Sequence, residues 1–311
     1  MKDFRGAIGV TVTPFDSDWS IDLGAVRKQA ALLAGSRITG VFPCASTGEF
    51  PHLSRSEQRA ICQATKEGIG SGKTLIAGAC SPNLRGSMDY ACMAGELGYD
   101  ACVACPPYYY PLTQEEVFAF YRELAQASPL PVILYHVPFF TSGISMETAE
   151  KLMRMPNIMG IKDSSANMKR IAHLCQLHAV REDFLVYTGT DDCLLPALSA
   201  GVDGSMTAFA AAAPELVTEV YRSYAEGNLR EASANQQRMM PLLQTADALP
   251  FPLGYKLVAE AYHNIPMTRR YHQLVAKRQV NMARNRIAEQ MSAGLGRKNA
   301  APQTAVTGSK R

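Results

Sequence analysis

The 311-residue sequence contains no apolar run that approaches the roughly 20 residues a membrane-spanning helix needs. Its N-terminus, MKDFRGAIGV, also lacks an apolar stretch long enough for a signal peptide after the charged start. Both absences point to a chain that stays in the cytoplasm. A charge excess of either sign is missing too. The formal net charge is +3, with acids and bases spread along most of the chain, so neither nucleic acid nor an anionic membrane is expected as a partner. The one basic cluster, Arg269 and Arg270 followed by Lys277 and Arg278, reads as a solvated helix face.

Several motifs are missing as well. The first strand-like run leads into VTPFDSDWS, which is not the Gly-rich phosphate loop of a doubly wound nucleotide-binding sheet. No G-x-S-x-G elbow marks a serine hydrolase. No second histidine, acid or cysteine lies at ligand spacing from His136, so no metal site is expected there. The eight cysteines need not form disulfides in a chain of this length, and reduced, buried thiols are the expectation. Cys102 and Cys105 form a C-x-x-C, but CVAC sits in a strand-like run without a second ligand pair, so both read as structural.

What is present is a recurring alternation. Eight short apolar runs rich in β-branched residues fall at 7–13, 39–45, 74–80, 100–106, 132–137, 158–164, 184–190 and 202–208. Helical periodicity fills most of the gaps between them, and Ser54/Glu57 and Thr113/Glu116 stand at capping-box spacing. Alternating helices and continuously apolar strands predict parallel βα units. Eight of them fit an α/β fold of the (β/α)8 TIM-barrel type over residues 1–225, and a doubly wound sheet is the rival. Further helical segments over 226–292 predict a C-terminal helical appendage. The small, polar, aperiodic stretch 293–311 predicts a disordered tail.

Barrel active sites lie at the carboxyl ends of the strands. Those ends offer Ser46, Thr47 and Glu49 after strand 2, Tyr108, Tyr109 and Tyr110 after strand 4, and Tyr135 and His136 on strand 5. Strand 6 offers Lys162, Asp163 and Ser164, strand 7 Thr190 and Asp191, and strand 8 Met206 within GSMTA. Lys162 is the most informative. An amine ending the apolar run IMGI is partly desolvated, which penalises the ammonium and leaves a nucleophile for carbonyls. The alternative is a lysine that snorkels to the rim or pairs with Asp163. A Schiff-base enzyme also needs a proton carrier. Tyr135 is suited to that role, with Ser46 and Tyr109 as a relay, or else it is simply a packed aromatic. The STG turn presents backbone N–H groups of Ser46 and Thr47 that suit a carboxylate, or it is an ordinary turn.

At these residues the sequence resembles the dihydrodipicolinate synthase / N-acetylneuraminate lyase family of class I aldolases. The likeness runs over about residues 5–290, through ASTGE, LYHVP and GIKDSS in the right order and on the right strands. It implies that Lys162 forms a Schiff base with pyruvate or a related 2-keto acid, with Tyr135 as acid/base. Ser46 and Tyr109 would complete the relay, Tyr109 reaching across to a neighbouring subunit of a homotetramer, a dimer of dimers. It implies no metal and no organic cofactor, and a second substrate that is an aldehyde. Ser164, Thr190 and Asp191 would hold sugar hydroxyls, as in the lyase branch, or else Phe139 and Phe140 would line a pocket for an apolar aldehyde. His136 stands where the family usually has Asn, and Met206 joins the substrate-facing set. Phe139 and Phe140 occupy the stretch where lysine-biosynthesis synthases carry an arginine. Without that guanidinium, bidentate recognition of a second carboxylate is lost, and dihydrodipicolinate synthase activity is not expected. The expected function is an aldolase or lyase on a pyruvate-derived 2-keto acid such as a 2-keto-3-deoxy sugar acid. Alternatives are a dehydratase of such an acid, a dihydrodipicolinate synthase-type condensation through the same iminium, and a non-catalytic keto-acid sensor.

Overall fold

The computed structural model describes residues 2–270 and 275–295. Each of the eight apolar runs holds all or most of a strand: β1 (Gly6–Val10), β2 (Gly40–Phe42), β3 (Thr74–Gly78), β4 (Ala101–Ala104), β5 (Val132–His136), β6 (Ile158–Asp163), β7 (Leu185–Thr188) and β8 (Gly204–Thr207). Every strand pairs in parallel with its sequence neighbours, and β8 returns to β1, so the sheet closes without an edge. The fold is the expected (β/α)8 barrel.

The first helices are α1 (Leu23–Ala34), α2 (Arg55–Ile69), α3 (Leu84–Glu96), α4 (Gln114–Ala127), α5 (Met146–Leu152), α6 (Met168–Cys175) and α7 (Leu194–Ala200). They are followed by α8 (Phe209–Ala212), α9 (Pro214–Ala225), α10 (Leu229–Asp247), α11 (Leu253–His263) and α12 (Lys277–Leu295). Both sequence-level capping boxes form. Ser54 and Thr113 each accept the backbone N–H three residues on, and the glutamate there reaches back to the cap's own N–H.

Side-chain alternation sorts each strand into two layers. Ile8, Val10, Phe42, Ile76, Val103, Ile133, Tyr187 and Met206 fill the barrel interior. Ala7, Val41, Leu75, Cys102, Leu134, Ile161 and Val186 face the helices. One irregularity matters for the site. Val132 pairs with Ile158 but Ile133 pairs with Gly160, so β6 carries one extra residue, Met159. That insertion brings Lys162 level with Tyr135 on one side and Tyr187 on the other.

Helix α8 closes the seam between β8 and β1. Phe209 and Ala210–Ala213 are buried, and a Cβ on Gly9 would stand 3.1 Å from both the Ala210 carbonyl oxygen and the Ala211 Cβ. A side chain there would require α8 to give by a few tenths of an ångström. The expected C-terminal helices are present, with α10 packed against α9, α11 and α12. Helix α12 runs to Leu295, so residues 293–295 are helical rather than part of a tail. The rest of the expected tail lies outside the described residues. Arg269 and Arg270 also depart from expectation. They precede α12 rather than share a helix face with Lys277 and Arg278. Arg269 is buried, and Arg270 pairs with Glu57 at the start of α2. Among the described residues no helix is long and apolar enough to cross a membrane.

Candidate active site

At the carboxyl end of the barrel a cavity of about 440 Å³ is lined by Ser46, Thr47, Tyr135, Lys162, Ser164, Thr190, Asp191, Met206, Phe139 and Phe140. The sequence reading named all ten. Lys162 is 4% exposed. Its Nζ lies 4.2 Å from the centroid of the Tyr135 ring and 5.4 Å from that of Phe42. Among the described residues no carboxylate pairs with it. The alternative of a Lys162–Asp163 pair is therefore wrong, for a reason inherent in a strand: neighbouring side chains point to opposite faces. Asp163 turns outward, where it accepts from Arg170 Nε at 2.6 Å, from Ser165 N at 2.9 Å and from Ser165 Oγ at 2.5 Å.

Tyr135 is held from two directions. Its backbone N–H donates to the Tyr121 hydroxyl at 3.3 Å, and that hydroxyl donates onward to the Ala104 carbonyl at 2.7 Å. Its own hydroxyl lies 3.4 Å from Ser46 Oγ. Ser46, Thr47 and Gly48 form a single 3-10 turn, closed by Thr13 Oγ1 donating to the Gly48 carbonyl at 2.8 Å. Gly189, after β7, leaves the room the amine chain needs. A Cβ there would fall 1.9 Å from Ser164 Oγ and 2.9 Å from Lys162 Cε.

The far wall is polar and acidic. The buried hydroxyls of Ser164 and Thr190 have no hydrogen-bond partner among the described residues. Asp191 accepts the Phe209 N–H at 3.3 Å with the Thr207 hydroxyl beside it, and burial pushes its carboxyl up to about 7. Asp192 and Asp247 line the same wall, and among the described residues no arginine does. Asp247 comes from the end of α10 and accepts from the Tyr255 hydroxyl of α11 at 2.6 Å. A side chamber of about 320 Å³ opens beside Ser46 and is walled by Phe50, Tyr108, Val137, Phe140 and Phe251.

Two named residues are not brought to this cavity. His136 follows inward-facing Tyr135 and so faces outward. Its Nδ1 accepts the Ile144 N–H at 2.9 Å and its Nε2 lies 4.0 Å from Asp163 Oδ2, while burial lowers its pKa to about 4. Tyr109 is 87% exposed with φ 85°, its ring edge-on to Tyr110 at 5.0 Å, and it does not reach Tyr135 of its own chain. Conversely, sequence reading gave no role to a support beneath the STG turn. Glu49 sits at φ 61° with its side chain buried and ion-pairs with the fully buried Lys256 of α11. Lys256 donates to the Thr268 carbonyl at 2.6 Å and lies 4.5 Å from the centroid of the Phe15 ring. Glu49 Oε2 also accepts the Arg270 N–H at 3.3 Å. A lone lysine inside the otherwise uncharged stretch LGYKLVA was the available signal.

A parallel eight-stranded barrel with an unpaired, buried amine on its sixth strand and a phenol level with it on the fifth has the architecture of a lyase working through a lysine Schiff base. Residues 3–273 match the model of the Dihydrodipicolinate synthetase family, and the chain belongs to that family. It is a lyase of the lysine Schiff-base type. It is 32% identical over 260 residues to a 4-hydroxy-tetrahydrodipicolinate synthase of Dehalococcoides mccartyi, a match covering 83% of this chain and 87% of the relative. It is 34% identical over 245 residues to an uncharacterized DapA-like lyase of Thermococcus kodakarensis, covering 78% and 84%. Among solved structures, a dihydrodipicolinate synthase from Cyanidioschyzon merolae with lysine bound superposes with a TM-score of 0.84 at 27% identity, covering 94% of this chain and 99% of the other. The pyruvate complex of the Acinetobacter baumannii dihydrodipicolinate synthase superposes at 0.85 with 25% identity, covering 93% and 99%.

Proposed function

We propose that the chain is an aldolase that cleaves or forms the C–C bond between pyruvate and an uncharged, hydroxyl-bearing aldehyde, the bond of a 2-keto-3-deoxy sugar acid. Lys162 Nζ attacks the keto carbon of the substrate, water leaves, and the resulting iminium is the electron sink for the bond that breaks. Tyr135 moves protons to and from the carbinolamine and the substrate oxygen, with Ser46 Oγ at 3.4 Å as the next member of its relay. The backbone N–H groups of the Ser46–Thr47 turn receive the keto acid's carboxylate. The observation that carries this reading is the buried, unpaired Lys162 amine over the Tyr135 ring.

The far wall supports the choice of aldehyde. Ser164 and Thr190 offer unpartnered hydroxyls to substrate hydroxyls. An acceptor with a second carboxylate would instead meet Asp191, Asp192 and Asp247, with no guanidinium among the described residues to offset them. That opposes a dihydrodipicolinate synthase-type condensation, although relatives carry that name. Phe139 and Phe140 form the outer lip, and Met206 forms part of the floor. Tyr109 completes the relay only from a second copy of the chain. Its exposure supports a homo-oligomer, a dimer of dimers, in which it points into a neighbour's cavity.

One observation favours a second reading. A carboxyl held near neutrality in the cavity, that of Asp191, suits protonation of a departing hydroxide, and the enzyme would then be a dehydratase of the same 2-keto-3-deoxy acids. Borohydride reduction with pyruvate should leave a mass adduct on Lys162 that Lys162→Ala lacks. An unmodified wild-type lysine refutes both readings. A panel of 2-keto-3-deoxy acids then separates them, with pyruvate plus aldehyde marking the aldolase and a dehydrated keto acid the dehydratase.

A further inference from the structure

The C-x-x-C noted in the sequence does not pair its own thiols. Residues three apart on a strand face opposite ways, and Cys102 packs among the helices near Ser128 while Cys105 turns into the barrel interior. The thiol that meets Cys105 comes from the adjoining strand. β3 and β4 pair as Gly78 with Val103, and Ala79 N–H still donates to the Val103 carbonyl at 2.8 Å. One step further the Cys105 N–H donates to Cys80 Sγ at 3.4 Å. Adjacent strands run about 4.8 Å apart, which falls within the Cα separation a disulfide spans. Both cysteines belong to the interior cluster that contains Tyr135 and Phe42, and Cys105 lines the side chamber beside Ser46.

We propose that Cys80 and Cys105 form a reversible disulfide that switches the Lys162 site off under peroxide, a regulatory role that rests on the Schiff-base reading of that site. The two thiols differ in a way that suits attack and resolution. The neighbouring Cys105 side chain, together with its backbone N–H donating to the Cys80 sulfur, holds Cys80 below the usual thiol range against the opposing effect of burial. Cys105, its side chain against Cys80 and buried, is held well above it. The Cys80 thiolate attacks hydrogen peroxide, which leaves a sulfenic acid and hydroxide. The Cys105 sulfur then displaces the sulfenic oxygen as water. Overall, two thiols and one peroxide give one disulfide and two waters. The new bond draws Cys105 toward Cys80 and changes the packing around Tyr135 and Lys162. A reactive pair displaced by about an ångström loses rate by about 100-fold.

The test uses the full-length enzyme treated with hydrogen peroxide, then alkylated and mapped by mass spectrometry, with borohydride–pyruvate trapping on the same samples. The expected result is a species lighter by two hydrogens, with the link mapped to Cys80–Cys105. Trapping should slow by about 100-fold and recover with dithiothreitol. Cys102→Ser should leave this response unchanged, and Cys80→Ser should abolish it. A link at Cys102–Cys105 or Cys44–Cys62, stable addition of oxygen without a link, or a mapped link with unchanged trapping each overturns the proposal. A reduced enzyme that never traps pyruvate refutes the Schiff-base reading instead, and the mapped link stands or falls separately.

Discussion

Replacing Lys256 by methionine tests the support beneath the STG turn. The substitution keeps the length of the side chain and its contact with Phe15 but removes the cation from Glu49, whose side chain is 2% exposed. Breaking a buried pair from one side costs about 3–5 kcal/mol, because the remaining charge stays buried. The Arg270 N–H at 3.3 Å and the His52 ring at 3.7 Å still face Glu49, which places the expected loss near the lower bound. With a urea m-value of about 3 kcal/mol/M, a loss of about 3 kcal/mol lowers the unfolding midpoint by about 1 M at fixed protein concentration. The double variant Glu49→Gln/Lys256→Met leaves no uncompensated charge and should recover most of that loss. Circular dichroism in urea measures all three proteins. A single variant losing under about 1 kcal/mol, or a double variant no better than the single, would refute the argument that the pair anchors this turn.

Gly189→Ala puts a methyl group where Ser164 Oγ and Lys162 Cε now lie, so the amine must shift. Pyruvate trapping should slow by about 100-fold, and a wild-type trapping rate would show that Lys162 does not depend on that space. His136 takes up its proton near pH 4 in the folded chain, against 6.5 for an unburied imidazole, because burial opposes the charge. The unfolded state therefore protonates first, and stability falls by about 3 kcal/mol as pH drops from 6.5 to 4. His136→Asn should flatten that slope in urea titrations run across the window. Asp191, raised to about 7 by burial, should give kcat/KM for a hydroxylated substrate a limb near that pH. Asp191→Asn should remove the limb, and an unchanged profile would take Asp191 out of substrate binding.

The legible part of this protein was whatever follows from periodicity. Eight apolar runs became eight strands, and their carboxyl ends supplied every wall of the cavity that strands and their loops provide. The same period of two, applied strictly, would have turned His136 away from Tyr135 and Asp163 away from Lys162. Both misassignments came from reading strand ends as clusters rather than as alternating faces. Other features had no local signature. Asp247, Phe251 and Tyr255 enter the cavity from the C-terminal helices and their connection, and no rule about strand ends reaches them. The Glu49–Lys256 pair joins residues more than two hundred positions apart. Only the closed barrel brings them together. Tyr109 marks a third kind of limit, since its proposed partner belongs to another copy of the chain.

The contact of α8 on Gly9 has a historical consequence. Where a polyalanine turn rests on a bare backbone, a larger residue can be tried only if α8 gives by a few tenths of an ångström. That part of the mouth is constrained against mutational exploration. Across from it, Phe139 and Phe140 are 72% and 57% exposed and Phe251 is 42% exposed, so exchange there disturbs little of the interior. Lineages descended from a common keto-acid enzyme would then diverge along one arc of the rim and remain alike along the other. Comparing variation between those two arcs among close relatives would measure how far packing, rather than chemistry, has steered their history.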